Sequence, residues 1–88
     1  MPEGSKSAVV VLYARPGCHL CDEARELILE IGARTNGFEL REVDIETDDA
    51  LLAAYLDRIP VIEIDGVLVG ELEPDVDAIS RALGTFER

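Results

Sequence analysis

Seven consecutive hydrophobic residues, Ala8-Val-Val-Val-Leu-Tyr-Ala14, constrain this chain more than any other segment. The run is short and rich in β-branched side chains, so it reads as a strand. With no polar face, it needs cover on both sides. Arg15-Pro16-Gly17 breaks it, and a helical pattern runs from His19 to about Arg34. Leu20, Cys21, Ala24, Leu27, Ile28 and Ile31 share one face of that helix. Asp22, Glu23, Arg25, Glu26 and Glu30 share the other. Asn36-Gly37 ends it with residues that tolerate positive φ.

The rest of the chain continues the alternation. Phe38 to Ile45 places Phe38, Leu40, Val43 and Ile45 among polar residues and predicts a half-buried strand. Thr47 or Asp48 caps a second helix through Leu56, with Leu51, Leu52 and Tyr55 facing in. Ile59-Pro60 opens a strand over Val61–Ile64. Asp65-Gly66 is a two-residue hairpin turn whose positions both need positive φ, and Val67–Val69 returns as the paired strand. Pro74 suits the first position of a last helix. Val76, Ile79, Ala82 and Leu83 form that helix's inner face. The order β-α-β-α-β-β-α demands a parallel first pair with a right-handed crossover, an antiparallel hairpin, and helices on both faces. The expected class is α/β, with a mixed four-stranded sheet.

Eighty-eight residues allow one domain, expected over 8–84, with 1–7 and 85–88 as tails. The seven-residue run is far short of the roughly 20 needed to cross a membrane. It is also a poor signal-peptide core, because Arg15-Pro16 follows at once. Nineteen acidic against eight basic residues give a net charge of −11, which argues against nucleic acid or an anionic membrane as partner. The excess is local: residues 39–77 hold 13 acidic and two basic residues.

Cys18 and Cys21 lie where the first strand hands over to the first helix. A bridge closing so short a loop removes only roughly 2 kcal/mol of unfolded-chain entropy, so the pair is not a structural staple. At a helix N-terminus, unpaired N–H groups and the positive dipole end stabilise a thiolate. Such sites lower a cysteine pKa from about 8.5 to roughly 3.5–7.5. Cys21, one turn on, should have its α-carbon about 5–6 Å from that of Cys18, within disulfide range. Cys21 also falls on the apolar face. Cys18 is therefore the expected nucleophile and Cys21 the resolving thiol. Arg15 and His19 are candidates for tuning the thiolate, opposed by Asp22 and Glu23. A tetrahedral zinc site needs four ligands, and Cys18, Cys21 and His19 supply three at most, so no metal site is expected.

The segment Val11 to Cys21 resembles the active-site segment of glutaredoxin-like members of the thioredoxin superfamily. Val43-Asp44-Ile45 resembles that family's second strand. Arg58-Ile59-Pro60-Val61 resembles its segment with a cis-proline facing the cysteines, and Gly66 and Gly70 fit its final hairpin. The resemblance spans about residues 8–84. It implies a thioredoxin-like fold with strand order 2-1-3-4, a cis Pro60, and substrate backbone pairing at Ile59. It also implies that Arg15, Arg58 and Gly70 contribute to substrate binding. Two features depart from the family pattern. Glutathione-using members carry Gly-Gly-x-Asp-Asp after the last strand, where this chain has Gly70-Glu71-Leu72-Glu73-Pro74-Asp75. His19-Leu20 also replaces the usual Pro-Tyr between the cysteines.

The resemblance implies a monomeric cytoplasmic thiol–disulfide oxidoreductase, with no bound cofactor. It would act on a protein disulfide or a small thiol, with glutathione or a thioredoxin system as reductant. The acidity of Gly70–Asp75 argues against easy glutathione docking and suggests a basic protein substrate. Two other functions fit the same residues: a non-catalytic binding module using the acidic face, and a metal or iron–sulfur carrier.

Overall fold

A computed structural model describes residues 8–35, 37–73 and 75–83. The expected tails 1–7 and 85–88, together with Asn36, Pro74 and Gly84, lie outside the described residues. Strands β1 (Ala8–Ala14), β2 (Phe38–Asp44), β3 (Val61–Ile64) and β4 (Val67–Glu71) alternate with helices α1 (His19–Gly32), α2 (Asp49–Tyr55) and α3 (Val76–Leu83). They form one four-stranded sheet in the order β2-β1-β3-β4, as the resemblance implied. β1 pairs parallel with β2, and β3 pairs antiparallel with both β1 and β4.

The core lies mainly on one side of the sheet. Val10, Leu12 and Ala14 of β1, with Ile62 and Ile64 of β3, pack against Cys21, Ala24, Ile28 and Ile31 of α1 and Ile79 and Leu83 of α3. Each such fully buried aliphatic side chain contributes roughly 1.5–3 kcal/mol. α2 covers the other face. There the Tyr13 ring meets Tyr55 at 4.7 Å between centroids. This cover is thinner than the apolar run predicted: Val9, Val11 and Tyr13 are only half-buried. A two-turn helix cannot blanket the face that α1 and α3 together cover on the opposite side.

Close packing decides details that periodicity misses. α1 ends at Gly32, where an added Cβ would overlap the Phe38 ring. A Cβ there would push the Phe38 ring aside where β2 returns beneath the helix end. Leu20, expected on the inner face, is 45% exposed, because α1 is only entering the core at its first turn. Ile45 is fully buried but opens a single 3₁₀ turn over Ile45–Thr47 rather than closing β2. Asp48, not Thr47, caps α2, accepting the N–H groups of Ala50 and Leu51. Leu51, Leu52 and Tyr55 pack against the core, partly buried. On α3 only Ile79 and Leu83 are buried. Val76 precedes that stripe by a turn, and Ala82 lies off it by roughly 60° of helix rotation.

The hairpin turn has positive φ at both positions, 52° at Asp65 and 84° at Gly66. Asp65 also ties the turn to β1: its carboxylate accepts the Val9 N–H at 3.0 Å, and its N–H donates to the Val9 carbonyl at 2.9 Å. β4 runs to Glu71, two residues beyond expectation, and contains a bulge. Ile62 pairs with Gly70 but Glu63 pairs with Leu68, so Val69 is the extra residue.

Candidate functional site

One end of the sheet gathers the residues singled out in the sequence. β1 and β2 both finish there, with Ala14 opposite Asp44. β3 starts there, with Val61 opposite Tyr13 on one side and Glu71 on the other. Extending the antiparallel register by two residues puts Pro60 beside Ala14 and Ile59 beside Arg15. The turn that carries the cysteines and the Ile59-Pro60 segment therefore share this end.

Arg15-Pro16-Gly17-Cys18 is a β-turn closed by the Cys18 N–H donating to the Arg15 carbonyl at 3.3 Å. Gly17 has φ 79°, and proline followed by a left-handed glycine is the type II pattern. The turn delivers Cys18 to the N-cap of α1. There its Sγ accepts the Cys21 N–H at 3.1 Å. The Cys18 carbonyl accepts the Asp22 N–H at 3.1 Å and starts the helix. A cysteine at this position replaces the usual Ser, Thr or Asp cap, so the helix's own N–H groups face its sulfur.

Cys18 and Cys21 are joined as a disulfide, with α-carbons 5.2 Å apart. Cys18 is half-buried, whereas Cys21 is 1% exposed within the core. The two sulfurs thus differ in access in the way the apolar face predicted.

Both proposed tuning residues are engaged elsewhere. The Arg15 guanidinium pairs with Glu46 of the 3₁₀ turn at 2.8 Å. His19 Nε2 pairs with Glu23 at 3.2 Å along the exposed side of α1. Arg58 pairs with Glu71 and lies 5.2 Å over the Tyr55 ring. The Ile59–Pro60 peptide bond is cis, and both residues are buried. The Ile59 N–H donates to the Tyr55 carbonyl at 3.1 Å, so this donor is already used within the chain. Gly70 lies inside the sheet opposite Ile62.

Sequence reasoning missed Glu46 and Leu72, and read Tyr55 only as a core residue of the second helix, not as the ring beneath Arg58. Leu72 adopts φ 66°, and its N–H reaches the carbonyls of Arg58 at 3.0 Å and Pro60 at 2.9 Å. It fastens the end of β4 to the Arg58–Pro60 segment. Nothing in local composition marks a leucine for this role; the hairpin register creates it.

A cleft of about 300 Å³ opens beside the cysteine turn, lined by Ala14 to Gly17, by Asp22 and Arg25 of α1, and by Glu42 to Asp44 of β2. Arg25 bridges Asp22 and Glu42 across it. These carboxylates hold the Arg25 guanidinium pKa above its usual value, Glu42 more than Asp22. Among the described residues, no group of three or more His, Cys, Asp or Glu side chains is arranged to hold a metal ion. No helix among them is long and apolar enough to cross a membrane.

The chain is similar to known proteins along nearly its whole length. The family described as "Glutaredoxin-like domain (DUF836)" matches residues 9–83. A glutaredoxin-like protein homologue from Dictyostelium discoideum is 32% identical, over 94% of this chain and 82% of that one. The solution NMR structure of protein Ne2328 from Nitrosomonas europaea superposes with TM-score 0.79 at 28% identity, covering 94% of this chain and 99% of that one. The X-ray structure of a protein from X. campestris has TM-score 0.69 at 32% identity, covering 85% and 95%. A thioredoxin from Halobacterium salinarum, at 22% identity and TM-score 0.60 over 89% of this chain and 73% of its own, shares the fold.

Proposed function

The chain belongs to the glutaredoxin-like domain family, and on that premise we propose that it is a dithiol thiol–disulfide oxidoreductase. The observation that carries this reading is Cys18 at the N-cap of α1, its sulfur accepting the Cys21 N–H at 3.1 Å. A thiolate is the nucleophile in disulfide exchange, and an N–H donor with a helix N-terminus favours the thiolate over the thiol.

In the reduced protein, the Cys18 thiolate attacks one sulfur of a substrate disulfide. The other sulfur leaves as a thiolate and takes a proton from solvent. Cys21 then loses its proton and attacks the Cys18 sulfur. This releases the second substrate thiol and leaves the Cys18–Cys21 bond. Two electrons pass from the dithiol to the substrate. Glutathione or a thioredoxin-type system resets the pair, in a reducing compartment such as the cytoplasm.

The rate of Cys18 alkylation against pH tests the reading. The expected midpoint lies below the free-cysteine value of about 8.5. A midpoint at or above that value overturns the catalytic assignment and favours a non-catalytic binding module of the same fold.

A further inference from the structure

We propose that this site prefers disulfides of cationic peptides or proteins, and that Glu46 and Glu71 set the preference. The inference rests on the oxidoreductase reading above and names its substrate class. The guanidiniums of Arg15 and Arg58 flank the cysteine end of the sheet, and both already hold a carboxylate of this chain. Glu46 occupies Arg15 at 2.8 Å, and Glu71 occupies Arg58. A substrate carboxylate arriving at either guanidinium must displace a tethered internal one. Glutathione carries two carboxylates and one ammonium group, so it meets this competition with a net negative charge.

The cleft beside the turn points the same way. Asp22, Glu42 and Asp44 line it with Arg15 and Arg25, and Glu46 stands on Arg15. Counting these side chains leaves two uncompensated negative charges beside Arg15–Gly17, the turn that leads into Cys18. A lysine or arginine near the substrate disulfide fits both the sign and the size of a cleft of about 300 Å³. Opposite charge raises the encounter rate and like charge lowers it, and both effects weaken with salt. The placement matters more than the total: Asp22 lies beside the cysteines on α1, whereas Glu42, Asp44 and Glu46 are brought to the cysteine turn from a second stretch by the pairing of β2 with β1 and by the 3₁₀ turn.

The test uses the pre-reduced full chain and three disulfide peptides of equal length, flanked by lysine, serine or glutamate. The second-order rate constant for thiol release is measured in low and high salt. The lysine-flanked peptide should react about tenfold faster than the glutamate-flanked one at low salt, with the gap narrowing in high salt. Glu46→Gln and Glu71→Gln should narrow the gap at low salt, chiefly by speeding the glutamate-flanked peptide. Equal rates for all three peptides, or a gap untouched by both substitutions, overturn the preference while leaving the oxidoreductase reading standing. If no peptide reacts faster than with Cys18→Ser, the oxidoreductase reading itself falls, and the preference falls with it.

Discussion

The backbone N–H of Cys21 donates to the sulfur of Cys18 across 3.1 Å, so in the proposed mechanism the residue that resolves also supplies a donor to the sulfur that attacks. The contact uses main-chain atoms, so substituting the Cys21 side chain removes the second thiol and retains the donor. Cys21→Ser should still attack a disulfide but should accumulate as a mixed disulfide, visible by mass as one added substrate half. Cys18→Ser should fall to the uncatalysed rate. A mixed disulfide trapped by Cys18→Ser and not by Cys21→Ser would reverse the assigned roles.

Gly32 and Phe38 form a contact in which an added Cβ would overlap the ring and force it to move. Gly32→Ala should destabilise the fold by about 1–3 kcal/mol, the usual cost of overpacking. Phe38→Leu in the same chain should recover part of that loss, giving a favourable coupling in a double-mutant cycle read by denaturant melts. Strict additivity would show that the helix end does not rest on the ring.

Gly17 is a different kind of glycine. Its φ is 79°, but an added Cβ would meet nothing within 4 Å. Gly17→Ala should therefore cost about 1–2 kcal/mol through backbone strain alone. Since the strained turn aims Cys18 at the helix axis, the alkylation midpoint should move toward that of free cysteine. A variant with wild-type stability and midpoint would mean that the turn does not position the sulfur.

Tyr13 links the sheet to alkaline stability. Burial raises its phenol pKa first, followed by the charges of Glu63 and Tyr55 and the hydrogen bond to Glu63. The folded chain thus keeps this proton where the unfolded chain has lost it. Stability from this group is complete below pH about 10 and is lost as pH rises through the folded value. Glu63→Gln should lower the tyrosinate absorbance midpoint of Tyr13. No change would remove Glu63 as a cause.

Much of the site was legible because it is local. The turn Arg15–Cys18, the helix start and the buried Cys21 follow from proline, glycine and helical spacing within seven residues. The partners of Arg15, His19 and Arg58 were not legible in the same way. His19 finds Glu23 four residues away on its own helix, but Arg15 reaches Glu46 and Arg58 reaches Glu71 only through chain reversal. Leu20 shows the opposite failure. Helical period placed it inward, yet it stands 45% exposed, since period cannot tell where along its axis a helix enters the core.

The sequence by itself determined the element order, the parallel first pair, the hairpin turn at Asp65-Gly66 and the cysteine pair at a helix N-terminus. Each depends on backbone preferences and short-period patterning, which act among near neighbours. Tertiary structure alone decided which carboxylates hold Arg15 and Arg58, why the Phe38 ring packs against residue 32 as glycine, and why the second face of β1 is thinly covered. Those outcomes depend on register and on the approach of segments distant in sequence. The acidity was visible from composition, but the arrival of Glu42, Asp44 and Glu46 at the cysteine turn is a product of the sheet.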